Sequence, residues 1–388
     1  MQIADRMKML GTETAFEVLA KARALEAQGK SIIHLEIGEP DFDTPGNVKA
    51  AGIDAIQRNF THYGPSAGLP DVRKAIAEYS GKVRGMEFSP EEVVVVPGGK
   101  PVMFYAIMAI MNPGDEIIYP NPGFPIYESM INFMGGKAVP IHIREEREFS
   151  LDVGELRKLV TDKTRMIIIN SPANPTGGIL ERADLEGIAE IAIKHDLWVL
   201  SDEIYQQIIY GKQHLSIATL PGMKERTIIL DGFSKAYAMT GWRLGYGVMN
   251  KSIAPHITRL MTNSNSCTAT FTQMAGAAAL RGPQDSVRKM TEEFRRRRDL
   301  IVGGLNKIPG FSCKMPHGAF YVFPNIKKSG KTSQQMSDYL LNEGGVACLP
   351  GTSFGALGEG YLRFSYANSE ENIREALKRI DAAVRKLK

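Results

Sequence analysis

Three features of the sequence predict an α/β fold in two parts. Short, continuously apolar segments alternate with helical patterns through the middle of the chain, as they do in a parallel sheet with crossover helices. From about Pro283 the apolar runs become alternating and are separated by charged helices, which suggests a smaller α+β body. The 388 residues also exceed what one hydrophobic core usually supports.

Taken in order, "ETAFEVLAKARALEAQGK" reads as a helix ending at Gly29 that packs with the C-terminal part. "GEPDFDTP", Gly38 to Pro45, is rich in turn formers and reads as a connection. The expected strands are "EVVVVP", "DEIIYP", "TRMIIINSP", "LWVLSDE", "TIILDG" and "LGYGVM", with helices such as "PVMFYAIMAIMN", "DLEGIAEIAIKH" and "FTQMAGAAALRG" between them. A long charged helix, "KMTEEFRRRRDLIVGGL", follows, then "FSCKMPHGAFYVFPNI", "GVACLPGTSFG", "GYLRFSYA" and a last helix, "SEENIREALKRIDAAVRKL". The expected division is a large domain over 46–284 and a discontinuous small domain over 1–45 and 285–388. No internal repeat or low-complexity segment stands out.

The hydrophobic fraction of 43% is that of an ordinary soluble enzyme, and a net charge of +4 is too small to imply nucleic acid or an anionic membrane. The run Arg295 to Arg298 follows Glu292 and Glu293 and reads as a solvated, ion-paired helix face. Cys267, Cys313 and Cys348 are widely spaced, with no CxxC and no histidine at ligand spacing, so neither a disulfide framework nor a metal site is expected. The N-terminus lacks an apolar leader and no stretch approaches a membrane span, so a cytoplasmic protein is expected.

The chemistry gathers at the strand ends. Apolar strands run into "PGGK" (Pro97 to Lys100), "YPNPGFP" (Tyr119 to Pro125), "NSPANPTG" (Asn170 to Gly177), "SDEIY" (Ser201 to Tyr205) and "FSK" (Phe233 to Lys235), so polar residues converge on one edge of the sheet. Lys235 follows the apolar "TIILDG", an unfavourable place for an idle ammonium. It does not fit a phosphate-binding P-loop, because neither "PGGKPV" nor "GFSKAY" has the GxxxxGK[ST] spacing. It fits a desolvated amine whose lowered pKa makes it a nucleophile and proton carrier at neutral pH.

"NPTG", "SDEIY" and "SKAYAMTGWRLGY", in that order, resemble the class I/II aminotransferases of the fold-type I pyridoxal-phosphate enzymes. The likeness extends from "GEPDFDTP" and "HYGPSAGLPDVRKAI" to "GAFYVFP", "PGTSFG" and "YLRFSYA", and looks nearest to the prokaryotic aspartate-aminotransferase-like subgroup. It implies a mostly parallel seven-stranded sheet covered by helices, with the smaller α+β domain closing over the substrate.

The resemblance also implies roles. Lys235 would hold pyridoxal 5'-phosphate covalently and then move the substrate's α-proton. Asp202 would face the ring nitrogen, Tyr205 and Asn174 the 3-oxygen, and Phe124 the ring face. Gly99, Lys100, Ser234 and Arg243 would hold the phosphate, joined by Tyr63 of a neighbouring subunit in a homodimer with shared active sites. Arg363 and Asn174 would receive the substrate carboxylate, the Gly38 backbone would sit over the substrate as the small domain closes, and Lys100 would meet a side-chain carboxylate. Plainer readings stand beside these: Asp202 as a helix cap, Asn174 as a turn residue, Phe124 as core packing and Lys100 as a surface cation. The implied partners are an L-amino acid and a 2-oxo acid, 2-oxoglutarate first. The implied activity is aspartate aminotransferase-like, with an aromatic or broad-specificity aminotransferase, or a C–S lyase on the same fold, as alternatives.

Overall fold

The computed structural model describes residues 2–387. Its strands are β1 (Ile33–His34), β2 (Val93–Val96), β3 (Glu116–Asn121), β4 (Lys137–His142), β5 (Thr164–Asn170), β6 (Trp198–Asp202), β7 (Thr227–Gly232), β8 (Gly245–Val248), β9 (Tyr321–Val322), β10 (Val346–Ala347), β11 (Leu349–Pro350) and β12 (Leu362–Ser365). Seven form one sheet in the order β2-β8-β7-β6-β5-β3-β4. The central strands β5, β6 and β7 are Ile-, Leu- and Val-rich because helices cover both faces and, past Arg165 and Trp198 at their amino ends, every residue is buried. "KAVPIH", β4, is absent from the expected strands. It lies at the sheet edge with exposed Lys137 and Pro140, so it carries no continuous apolar run.

The direction of one strand decides how the site is built. β3, β4, β5, β6 and β7 run parallel, whereas β8 is antiparallel to both β7 and β2. β2 therefore runs with β7, and the carboxyl ends of β2, β3, β5, β6 and β7 share one edge. Because β8 is reversed, its amino end lies at that same edge, with Gly245 opposite Gly232. The chain leaves β7, forms the loop carrying Lys235, and returns to the same edge at Arg243.

Helices 100–110, 126–133 and 254–265 pack one face of the sheet through Met103, Ile107, Tyr127 and Ile257. Helices 46–57, 70–84 and 270–281 pack the other around β2, β7 and β8. Each fully buried aliphatic side chain, such as Ile168 or Ile228, contributes roughly 1.5–3 kcal/mol. A second body gathers the antiparallel sheet β11-β12-β9 and helices 285–305, 333–342 and 370–384 around Phe294, Phe320 and Phe364. β1 pairs in parallel with β10, which ties the N-terminal segment to the C-terminal one. Val18 and Ala22 of helix 15–26 belong to one buried cluster that also holds Ile118 and Val139 of the large sheet and Leu341 and Leu349 of the C-terminal part. No helix among the described residues is long and apolar enough to cross a membrane.

The arginine run departs in part from the expected solvated face. Arg295 and Arg296 pair with Glu292 and Glu293 on the helix surface. Arg297 is buried: its Nη1 donates to both carboxylate oxygens of Asp41, at 2.7 and 2.9 Å, and it lies over the Phe42 and Phe294 rings. Asp41 and Phe42 come from the "GEPDFDTP" connection, so the long helix anchors the segment that carries Gly38.

Behind the sheet edge lies a buried ionic group. Arg84 donates to Glu203 at 2.9 Å and to Asp231 at 3.0 Å, and Glu203 also accepts from Ser201, Ser216 and His214. Burial alone would raise the Glu203 carboxyl, but Arg84 and His214 outweigh it and hold the group well below the usual range. Arg84→Met is expected to destabilise the protein by about 3–5 kcal/mol, because it leaves two buried carboxylates without their cation. Urea unfolding at pH 7 measures this loss. A depressed folded pKa gives stability that is present above the unfolded value, near 4.5, and lost as pH falls through the folded one. The acid limb of the stability profile should therefore flatten in the variant.

Candidate active site

A cavity of about 340 Å³ opens at this sheet edge, between it and the body built on β9, β11 and β12. Lys235 lies in its wall, three residues after β7. Its ammonium donates to the Gly38 carbonyl at 2.5 Å and sits 5.9 Å from the Tyr205 ring centroid and 5.7 Å from that of Phe320. Burial, with Arg363 and Lys100 nearby, pulls this amine down to about 8 against the opposing pull of Glu39 and Glu13. A substantial fraction of the group is neutral near physiological pH, as a nucleophile or base requires.

Asp202 ends β6 and faces the cavity. Its Oδ2 accepts from the Tyr127 hydroxyl at 2.7 Å and its Oδ1 from the Ile204 amide at 3.2 Å. Burial raises the carboxyl to about 6, with Asp231 and Glu203 adding to the rise while the two hydrogen bonds resist it. It forms no ion pair among the described residues, so it can meet a cationic nitrogen in the cavity. Tyr205 follows one turn later; its hydroxyl is 2.7 Å from that of Tyr321. Asn170, at the end of β5, braces this wall by donating to the Asp202 carbonyl at 3.0 Å and accepting from the Asn174 amide at 2.8 Å.

The opposite charge collects at the β2 and β8 ends. Helix 100–110 starts directly after "PGG", and the N–H groups of its first turn have no partner within the helix. Gly98 has φ +84°, and a Cβ there would collide with the Arg243 guanidinium, so the turn admits only glycine. Arg243 donates to the Thr240 carbonyl at 2.7 Å and pairs with no carboxylate among the described residues. With Ser234 and Gly99 beside it in the cavity wall, these groups form a cradle for a small dianion.

Arg363, on β12, supplies the cation of the facing wall. It is buried, stacks 4.6 Å from the Tyr321 centroid and 5.0 Å from that of Phe354, and donates to the Glu36 carbonyl and, at 3.4 Å, to Asn174 Oδ1. Its Nε is buried without a partner among the described residues, a donor left over for a carboxylate. Gly38 lies against Tyr321, whose hydroxyl occupies the place a side chain at 38 would need.

Lys100 lines the cavity 5.5 Å from the Phe124 centroid and is ion-paired with Glu13. Phe124 packs edge-on against Tyr127. Of the residues singled out in the sequence, all but Tyr63 line this cavity; Tyr63 is 89% exposed. Four contributors escaped the sequence reading: Glu13, Asn170, Tyr127 and Tyr321. Tyr127 stands in the first turn of the helix 126–133, three residues after Phe124, which precedes that helix and packs edge-on against it. Glu13 and Tyr321 come from distant segments and carry no local signal.

Residues 30–380 match the family model for aminotransferase class I and II. The aspartate aminotransferase of Pyrococcus abyssi is 42% identical, and the aromatic-amino-acid aminotransferase 2 of Thermococcus litoralis 39% identical; each match covers all of both chains. A solved aspartate aminotransferase of Thermus thermophilus with maleate superposes with a TM-score of 0.95 at 37% identity, covering 99% of this chain and 100% of that one. With a lysine amine, a buried carboxylate and an anion cradle gathered around one cavity, the chain belongs to the class I and II aminotransferases, enzymes that use pyridoxal phosphate to move amino groups.

Proposed function

We propose that this aminotransferase takes its amino group from a dicarboxylic L-amino acid, aspartate first, and passes it to a 2-oxo acid such as 2-oxoglutarate. The observation that carries this reading is that Arg363 and Lys100 line the same cavity as Lys235, giving one cation for the α-carboxylate and another for a second carboxylate. The relatives named aspartate aminotransferase, and the one solved with the dicarboxylate maleate, support it. A broader range that includes aromatic donors is favoured by the apolar lining of Phe16, Ile37, Met103 and Phe124 and by the aromatic-amino-acid relative.

In this reading the backbone amides of Gly99 and Lys100, with Ser234 and Arg243, would hold the cofactor phosphate, Asp202 would meet its ring nitrogen, Tyr205 and Asn174 its 3-oxygen, and Phe124 would pack on the ring. When bound, pyridoxal phosphate supplies an electron sink for the charge left on the α-carbon. Asp202, ionised at neutral pH, keeps a proton on the nitrogen it faces. Arg363 and Asn174 hold the α-carboxylate and so orient the Cα–H bond. Lys235 would hold the cofactor covalently and, once freed by the incoming amine, its Nζ would take and carry the substrate's α-proton. Residues 46–284 act as the cofactor-bearing domain, and 1–45 with 285–388 as the part that closes, carrying Gly38 and Arg363 onto the substrate. The exposed Tyr63 suits a role at the phosphate of a second subunit, which makes the enzyme a homodimer. Three unpaired cysteines suit a cytoplasmic setting.

Lys235→Ala should lower single-turnover transamination by at least about 10⁴-fold for every donor; near-parental rates would remove Lys235 from the chemistry. Arg363→Met should reduce kcat/KM by roughly 10²–10³-fold for mono- and dicarboxylic donors alike. Lys100→Met should penalise only the dicarboxylic ones. A donor panel scored by half-reaction rate separates the two effects.

In cofactor-free protein, competitive acetylation of Lys235 should titrate with a midpoint near 8 rather than the ordinary 10.5. Arg363→Met should move that midpoint upward, since removing a neighbouring cation favours the ammonium form. Peptide mass spectrometry across a pH series reads both.

A further inference from the structure

The Lys100 ammonium, which the proposed function assigns to a substrate's second carboxylate, already has a carboxylate on it. Glu13 reaches it from the N-terminal segment, which is fixed to helix 126–133: the Gly11 amide donates to Ser129 Oγ at 2.8 Å, and Arg6 lies over the Phe133 ring at 5.5 Å. Glu13 Oε1 pairs directly with Lys100 Nζ, and both side chains line the cavity. Glu13 makes no other hydrogen bond or ion pair among the described residues. The two side chains remain 23% and 45% exposed, so exchange of one carboxylate for another on Lys100 requires little desolvation.

We propose that Glu13 is a specificity-determining residue, an internal carboxylate that competes with dicarboxylic substrates for Lys100 and, while seated there, admits uncharged donors. A distal carboxylate on the substrate displaces Glu13 toward solvent and takes its place. An uncharged side chain leaves Glu13 where it is, so the substrate meets a neutralised pair together with Phe16, Met103 and Phe124 instead of a bare ammonium. One cavity thus serves both donor classes, with affinity for the acidic class set below what Lys100 alone would give. The inference rests on the reading of Lys100 as the second-carboxylate site.

The test is equilibrium binding to the cofactor-loaded protein of two unreactive ligands, maleate with two carboxylates and 3-phenylpropionate with one. Calorimetry is run on the parent, Glu13→Gln, Lys100→Met and the double variant. Glu13→Gln should tighten maleate by about fivefold, the scale of a partly exposed ion pair, and leave 3-phenylpropionate unchanged or weaker. In the Lys100→Met background the same substitution should change neither ligand. Maleate binding that is unchanged or weakened in Glu13→Gln, or tightening that persists without Lys100, would overturn the role given to Glu13. Should Lys100→Met bind maleate as the parent does, the second-carboxylate reading itself fails, and this inference falls with it.

Discussion

The site depends on one constraint: an amine must be held largely out of water just past the end of an apolar strand. Lys235 follows six buried residues of β7, and its ammonium is surrounded by the Tyr205 and Phe320 rings and the Gly38 carbonyl. Desolvation disfavours the charged form, and Arg363 and Lys100 disfavour it further. Much of the architecture serves this placement. The central strands are buried on both faces, and the second body closes the cavity with Arg363 on β12 and with Tyr321. Reversed β8 returns Arg243 to the edge from which Lys235 departs.

The same desolvation acts on Asp202 in the opposite sense. Its carboxyl rises to about 6 while the lysine falls to about 8, so the two groups approach each other across neutrality. Pairs of titratable groups shifted in this way are a mark of acid–base sites. Asp202 is kept ionisable at neutral pH by the Tyr127 hydroxyl and the Ile204 amide. The neighbouring carboxylates Glu203 and Asp231 are tied instead to Arg84, which confines their charge behind the sheet.

Most of the site is legible in the sequence because it sits at strand ends, where an apolar run stops and polar residues begin. Lys235, Asp202, Asn174 and the "PGGK" turn are all marked in that way. The reversal of β8 is not legible, since an apolar run such as "LGYGVM" carries no mark of strand direction and only its pairing with β2 and β7 shows how Arg243 reaches the edge. β4 is hidden by its exposed lysine and proline. Arg297 reads as one of four surface arginines until Asp41, 256 residues away, is seen to bury it. Glu13 and Tyr321 escape for the same reason: their partners are set by the chain's long-range path, which no local pattern records.

The central claim is that the amine of Lys235 is the one that carries the cofactor. Borohydride treatment of the cofactor-loaded protein, followed by proteolysis and mass mapping, tests it most directly, because reduction makes the link to that amine permanent. The account predicts a single modified lysine, Lys235, within the "FSKAYAMTGWR" segment. Modification of Lys100 or of any other lysine, with Lys235 left free, would contradict it.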